Sequence, residues 1–320
     1  MILMKQFDTF ITPLTITDIP LILANIPKDS TNYYDCIPYA IGANTYGVFQ
    51  GFKYYDGEVL ILFNTKYQKY WKVYKAYGPN DQIICDRLWD WWAYYKSKTE
   101  KDLALNNLTE SQYKILLSRA KKEGIKISKT SCEEDVFDIR GIKDLKGGTW
   151  AKLRMMINVF KRQELNHTVE HISESNLEES RNLLKYWVKQ MKDNGAIQLN
   201  YRQYEYVLLY HSFQGSDTCS YVHKIDGKPK AIVLMNKISD NCFAQTSSFA
   251  DRDVKGISEY SIYHAFAEAS ERGIDYAASG LRMVSTWNFK NKYNPVQPSP
   301  VWYKIGLPGE VVKDSLPFFE

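Results

Sequence analysis

Cysteine is sparse and scattered: five residues in 320 (Cys36, Cys85, Cys132, Cys219, Cys242), with no CxxC, no C-x-x-C-H and no Cys/His cluster. That pattern argues against a disulfide scaffold and a zinc site, and it points to a cytoplasmic protein. No apolar run reaches the ~18 residues of a membrane span. The N-terminal stretch Met1–Ile16 has too short an apolar run for a signal h-region and lacks a cleavage site. The motifs G-x-x-x-x-G-K-[ST], H-E-x-x-H and G-x-S-x-G are absent, and Gly42 and Gly47 form no phosphate loop. No metal and no tightly bound cofactor are therefore expected. A large excess of one charge is also missing. The 41 Lys and Arg face 37 Asp and Glu, a net +4 that permits an anionic substrate without requiring one.

What is present is a globular composition, 44% hydrophobic and 24% charged. The length is about twice that of a usual domain, so two domains or a doubled fold is the starting expectation. Tyrosine is in excess, with 24 residues. The excess suits stacking surfaces, and it equally suits the Lys/Asn/Ile/Tyr bias of an AT-rich bacterial or phage genome.

The second half reads as an ordered succession. His167–Ile172 alternates like a strand. Ser175 and Glu178 have capping-box spacing ahead of a helix with Leu177, Leu184, Trp187, Val188 and Met191 on one face, ended by Gly195. Tyr201–Phe213 reads as a second helix. Cys219–Ile225 and Lys230–Ile238 flank Asp226-Gly227, a strong hairpin signal, and Asn241–Phe249 makes a third strand. A loop over Ala250–Lys255 leads through Gly256 into a helix to Arg272, closed by Gly273. Ile274–Ser279 is a strand, Thr286–Tyr293 a short helix or turn, and Val301–Ile305 a last strand.

The first half is compatible with the same plan. Thr17 or Asp18 caps a short helix to about Ile26. Phe52–Tyr55 and Glu58–Phe63 flank Asp56-Gly57, and Lys69–Tyr77 is a third strand. Asp81–Tyr95 is a helix with Ile84, Leu88, Trp91, Trp92 and Tyr95 on one face. Thr109 and Gln112 form a capping box for a helix striped with Tyr113, Leu116, Leu117 and Ala120 and closed by Gly124. A boundary is expected within Ser131–Gly148, which holds Glu133-Glu134 and Gly147-Gly148. The domains are then 1–135 and 136–320.

Chemistry concentrates in Asp138–Arg162. After Gly147-Gly148, Thr149 can cap a helix whose stripe Leu153, Met156, Ile157, Phe160 faces a core. Arg154, Asn158 and Lys161 lie on one flank and Lys152 on the other, an edge suited to phosphates and equally to a solvated basic face. Lys290, Lys292 and Tyr293 beside Asn294-Pro295 are a second basic group, where Lys neutralises phosphate and Tyr stacks on a base.

These residues resemble a family. The run from Asp138 through Leu145-Lys146-Gly147 to Lys152, Arg154, Asn158 and Phe160 is similar to a segment of the DUF2156 family, related to the C-terminal domain of phosphatidylglycerol lysyltransferases. Gly280-Leu281-Arg282 followed by Phe289–Pro295 resembles its closing Lys-rich motif. The resemblance implies an α+β fold of two tandem GNAT-like domains, each a mixed, mostly antiparallel sheet flanked by helices, related to the Fem-type transferases. It also implies an aminoacyl-tRNA donor. The chain departs from the family pattern in having Asp275–Ser279 where an Asn-Arg-Glu-type stretch is expected, and in a thinned Lys152-Leu153-Arg154 cluster. It also lacks a flippase region. The departures bear on the substrate more than on the fold.

The loop Asp251–Ser258 stands where a GNAT domain holds pyrophosphate on backbone N–H groups. It carries Arg252, Lys255 and one glycine, Gly256, short of the glycines that a CoA-binding loop shows. Asp251, Glu259 and Asp275 are the candidate acids or bases, each with an alternative as a cap or surface carboxylate. His264 reads as a structural histidine.

Three functions follow as expectations. The first is an acyltransferase resembling the aminoacyl-tRNA-dependent class, with Lys152, Arg154, Asn158, Arg282, Lys290, Lys292 and Tyr293 holding phosphates or substrate and the N-terminus of the Gly256 helix binding an anion or the oxyanion. Its partner is tRNA, and its acceptor is a small molecule, a lipid head group or a modified nucleotide. The second is an acyl-CoA-dependent N-acyltransferase using Arg252, Lys255 and Gly256. The third is a non-catalytic binding module of the same fold.

Overall fold

The computed structural model describes residues 10–37, 41, 49–66, 70–99, 103–193, 201, 204, 205, 207–209, 218–282 and 288–307. In chain order the first elements are β1 (Ile11–Pro13), α1 (Ile19–Asn25), β2 (Phe49–Tyr55), β3 (Leu60–Lys66), β4 (Tyr70–Tyr77), α2 (Asp81–Thr99), β5 (Leu103–Leu108) and α3 (Glu110–Lys122). They are followed by β6 (Ser128–Asp138), α4 (Ala151–Lys161), β7 (His167–His171), α5 (Leu177–Asp193), β8 (Tyr221–Ile225), β9 (Lys228–Lys237) and β10 (Cys242–Ala250). The last are α6 (Ile257–Glu271), β11 (Tyr276–Leu281) and β12 (Val301–Leu307). The order is that of an α+β protein with mixed, mostly antiparallel sheet flanked by helices.

The chain divides into two compact units, one of residues 1–26, 39–133 and 300–314, the other of 27–38, 134–299 and 315–320. In the first, neighbouring strands run β1-β2-β3-β4-β5-β12-β6. In the second they run β7-β8-β9-β10-β11-β6. Strand β6 serves both, pairing β12 over residues 128–133 and β11 from Glu134 onward. Each unit has one parallel pair, β4 with β5 and β10 with β11, and in each a helix crosses between its members. The remaining pairs are antiparallel.

Local sequence explains several elements. Asp226 and Gly227 both adopt positive φ (50° and 73°), and Ile225 pairs directly with Lys228, a two-residue hairpin. Asp56-Gly57 behaves differently: Tyr55 pairs with Leu60, and the Asp56 carboxylate accepts the N–H groups of Glu58 and Val59 at 3.0 and 2.8 Å. There the aspartate side chain itself holds a longer loop. Thr109 and Gln112 cap α3 reciprocally, each bond 3.1 Å long.

Two caps differ from expectation and a third agrees with it. The box before α5 is Ser173 with Asn176, because the Asn176 amide also reaches the His171 carbonyl at 2.8 Å and fixes the turn earlier. Asp18, one of the two residues expected there, is the N-cap of α1, and its carboxylate accepts the Thr15 N–H at 2.8 Å to close the preceding 3-10 turn Ile16–Asp18. No side chain caps α4, whose N-cap is Trp150. Strands β5 and β6 were not anticipated. The helix end at Gly195, most of the Tyr201–Phe213 helix, the start of the Thr286–Tyr293 turn, and Gly42 and Gly47 lie outside the described residues.

The core of the first unit is rich in aromatic rings. Trp89, Trp91, Trp92, Tyr94 and Tyr95 of α2 are all buried, with Phe63 4.7 Å from Trp91 between ring centroids. The second unit packs α4 and α6 against the sheet through Leu153, Ile157, Phe243, Ile262, Phe266 and Ala269. Leu183, Leu184 and Val188 of α5 join Val222, Ile232 and Leu234 in a further cluster. No described helix is long and apolar enough to cross a membrane.

Candidate active site

The parallel pairing of β10 and β11 covers only Cys242–Ala244 against Tyr276–Ala278. Beyond it β10 bulges between Gln245 and Ser247, and β11 shifts register against β6 between Ala278 and Leu281. Bulges twist and bend the strands that carry them, so the two strands part and leave a wedge. Ser279 Oγ donates to Gln245 Oε1 at 3.1 Å across its narrow end. Gly280 makes the bend at φ 72°, where a Cβ would come within 3.3 Å of the Tyr33 ring. The Tyr33 hydroxyl donates to the Thr246 carbonyl at 3.3 Å, and its N–H donates to Glu134.

Beside the wedge lies a buried charge cluster. Asp135 on β6 is fully buried (0% exposed) and accepts from Arg282 Nε at 2.8 Å, with Lys290 Nζ 2.9 Å from its other oxygen. Lys290 also donates to the Ser279 carbonyl at 2.9 Å. Lys292 pairs with Glu259 in the first turn of α6 and sits 4.9 Å over the Phe289 ring. Tyr293 is buried against Phe137, Phe266 and Phe289, and burial, with Glu259 nearby, pushes its phenol well above the usual range. A carboxylate without water persists only when cations meet it, so Asp135 dictates where Arg282 and Lys290 stand.

The expected residues thus separate. Arg282 and Lys290 meet on Asp135, while Lys292 pairs with Glu259, which also lies near Tyr293. Arg154 does not face outward: its guanidinium donates to the carbonyls of Leu145 and Gly147, clamping the Leu-Lys-Gly loop. Lys152 and Asn158 are exposed on α4. Asp251 is buried and paired with Lys230 at 2.7 Å while accepting the Asp253 N–H at 3.0 Å. Asp275 is at the end of β11 away from the wedge, its backbone bonded to Ile139 and Asn241. Arg252 is exposed, with a guanidinium nitrogen 2.9 Å from Met191 Sδ.

The 251–256 loop is largely engaged with itself. The N–H groups of Asp253, Val254 and Ile257 bond to Asp251 or Val254, and the Lys255 carbonyl accepts from Gln163 at 2.8 Å. Gly256 (φ 78°) lies against α4, where a Cβ would meet the Met156 carbonyl at 2.6 Å. Its missing side chain lets two helices approach.

The reading from sequence missed Asp135, Glu134, Tyr33, Gln245 and Ser279. One signal was available. Glu134 and Asp135 run directly into Val136 and Phe137, and carboxylates that continue an apolar strand need partners. No cluster of three or more His, Cys, Asp or Glu suited to a metal occurs among the described residues.

A meander, a crossing helix and a parallel strand that splays at a bulge define a GNAT-related acyltransferase fold. The sequence model of the family "Phosphatidylglycerol lysyltransferase, C-terminal" matches residues 49–304, and the chain belongs to that family. It is thereby an acyltransferase of the aminoacyl-tRNA-dependent class. Among solved structures, a conserved protein of unknown function from Bacteroides thetaiotaomicron is similar, with TM-score 0.75 and 16% identity over 93% of this chain and 99% of that one. L-PGS from Bacillus licheniformis has TM-score 0.63 and 17% identity over 95% and 94%. The C-terminal DUF2156 domain of a candidate lysylphosphatidylglycerol synthetase from Agrobacterium fabrum has TM-score 0.62 and 16% identity over 92% and 91%. At these identities the likeness is one of fold. No curated protein matched.

Proposed function

We propose that the chain moves an aminoacyl group from aminoacyl-tRNA to a hydroxyl or amine on an acceptor with an anionic group, such as a lipid head group, in the wedge between β10 and β11. The observation that carries this reading is the Asp135–Arg282–Lys290 cluster beside that wedge, in a chain of this family. The acceptor oxygen or nitrogen bonds to the aminoacyl carbonyl carbon, and the ester bond to the tRNA ribose breaks. The acceptor's proton ends on the ribose oxygen, relayed by Glu259, the one of the three expected carboxylates that pairs with a lysine of the closing segment, Lys292. The donor ester is already activated, so positioning and electrostatic stabilisation supply much of the catalysis.

In this reading Lys290 and Arg282 are held by Asp135 in fixed positions for the developing oxyanion or a phosphate. Lys152 and Asn158 meet anionic groups from the surface of α4, while Arg154 shapes the loop before it. The self-bonded 251–256 loop weighs against CoA pyrophosphate as the donor's anchor, because three of its N–H groups are already committed. The repeated order of meander, crossing helix and parallel strand supports two tandem GNAT-like domains, dividing near residue 135. A tRNA substrate implies a cytoplasmic site of action.

The test follows radiolabel from a charged tRNA pool into acceptors supplied as phosphatidylglycerol vesicles and as a lipid-free small-molecule extract, with labelled acetyl-CoA in parallel. Label transfer from tRNA that falls about 100-fold in Lys290→Met supports the reading, a loss typical of removing one transition-state donor. Transfer from acetyl-CoA alone would overturn it.

A further inference from the structure

The molecule's surplus of positive charge is local. Residues 119–131 carry five cations, Arg119, Lys121, Lys122, Lys126 and Lys129, against one carboxylate, Glu123. That surplus equals the +4 of the entire chain, so positive and negative charges balance over all the rest. The run spans the last turn of α3 and the start of β6, within the first unit. Arg119 is consumed by Asp86 at 2.8 Å and Glu123 at 3.3 Å, and it lies 4.9 Å over the Trp89 ring. The four lysines are exposed, and none is in an ion pair among the described residues. Lys129 stands 6.0 Å over the ring of Tyr113, which stacks on Tyr303 at 4.5 Å.

We infer that this face of the first unit binds the phosphate backbone of the tRNA donor. The inference rests on the tRNA-dependent reading above. Unpaired lysines neutralise phosphates and release condensed counterions, a driving force that needs no base recognition. Around the lysines, Ser118, Ser128, Thr130 and Ser131 are exposed, and hydroxyls of this kind commonly contact phosphate oxygens. No large apolar side chain is exposed within residues 119–131, and Leu117 just before them is exposed. A membrane-docking face would instead set several bulky apolar groups among its lysines. The chemistry of the patch is that of a polyanion in water.

The experiment measures binding of uncharged total tRNA to the full chain over a salt series. The quadruple variant Lys121→Gln, Lys122→Gln, Lys126→Gln, Lys129→Gln is compared with the same four positions changed to Arg. The Gln variant should weaken binding at least about tenfold at low salt and reduce the slope of log K against log salt by about three, while the Arg variant keeps both. Unchanged melting temperatures show that all three proteins are folded. If the unaltered chain binds no tRNA, the transferase reading fails and takes this inference with it. If it binds and the Gln variant binds equally with the same slope, only this placement fails. Loss of binding to phosphatidylglycerol vesicles with tRNA binding intact would also overturn the placement and make the face a lipid surface.

Discussion

The two units use one order of elements for different ends. Each has an antiparallel meander, a helix that crosses over, and a strand parallel to the meander's last. In the first unit the crossing helix α2 fills the space below the sheet with tryptophan and tyrosine rings. In the second, α6 offers Ile262, Ala265 and Ala269 to the sheet and leaves Glu259, at its first turn, to pair with a lysine. The first unit's core sets eight aromatic rings among aliphatic side chains. The second keeps a fully buried carboxylate, two cations committed to it and a wedge beside them. A core made of rings stabilises; a core that holds charge fixes the position of reactive groups at some expense in stability.

The largest expected effects separate these roles. Asp135→Ala leaves Arg282 and Lys290 without their carboxylate and should destabilise the protein by about 3–5 kcal/mol. Trp91→Ala should cost a similar amount, about 3–5 kcal/mol, by opening a cavity among rings. Denaturant melts should show comparable losses. Transfer measured under conditions where each variant remains folded should vanish only for Asp135→Ala. Equal retention of activity would erase the distinction between the units.

Glycine gives a second contrast. At Gly256→Ala the new Cβ meets backbone at 2.6 Å and the φ is positive, so a loss of about 2–3 kcal/mol is expected. At Gly78→Ala, before α2, the nearest atoms are side-chain carbons, Ile84 Cγ1 at 3.0 Å and Val59 Cγ2 at 3.2 Å, which need give by only a few tenths of an ångström. That change should cost under about 1 kcal/mol. Thermal melts of the two variants check the pair.

A third contrast is a pH dependence confined to the second unit. All five histidines of the chain lie between residues 167 and 264, and the first unit has none. His223 on β8 is fully buried. Its Nδ1 is 3.1 Å from His167 Nε2 of β7, and its ring stands 5.3 Å from that of His264 on α6. Tyr260 of α6 also contacts it, while Glu268 and Glu271 lie near His264. Burial, then the neighbouring His264 and His167, hold His223 well below the usual imidazole range. Its folded pKa is depressed, so the unfolded chain binds the proton first. The stability from neutral His223 is complete above ~6.5 and falls as pH drops below it, by about 1.4 kcal/mol per pH unit. Melting temperatures between pH 7.5 and 5 should fall more steeply for the native chain than for His223→Gln.

How far the sequence disclosed this depends on where the determining contacts lie. Asp226-Gly227 and the Thr109/Gln112 box were legible because each is closed by residues within a few positions of one another. The closing Lys-rich segment was legible through its motif; Arg282 and Lys290 meet on Asp135, and Lys292 pairs separately with Glu259. Strand β5, with Asn106 and Asn107, and the polar start of β6, Ser128–Glu133, carry no alternation, since their places are set by pairing with the distant β12. Arg154 read as a phosphate ligand because nothing local shows that carbonyls at Leu145 and Gly147 turn back toward it. Asp135 read as a linker residue because its partners lie some 150 positions later. Its role is visible only once the sheet is assembled.

The most direct measurement compares single-turnover transfer from preloaded aminoacyl-tRNA in Lys290→Met and Arg87→Met. Each removes one cation from a largely buried pair, Lys290 with Asp135 at 2.9 Å in the second unit and Arg87 with Asp56 at 2.7 Å in the first. The account predicts a rate constant reduced about 100-fold by Lys290→Met, the scale of a lost transition-state donor, with Arg87→Met within about twofold of the native chain. A native rate in Lys290→Met, or an equal fall in both, would contradict the assignment of the chemistry to the wedge of the second unit.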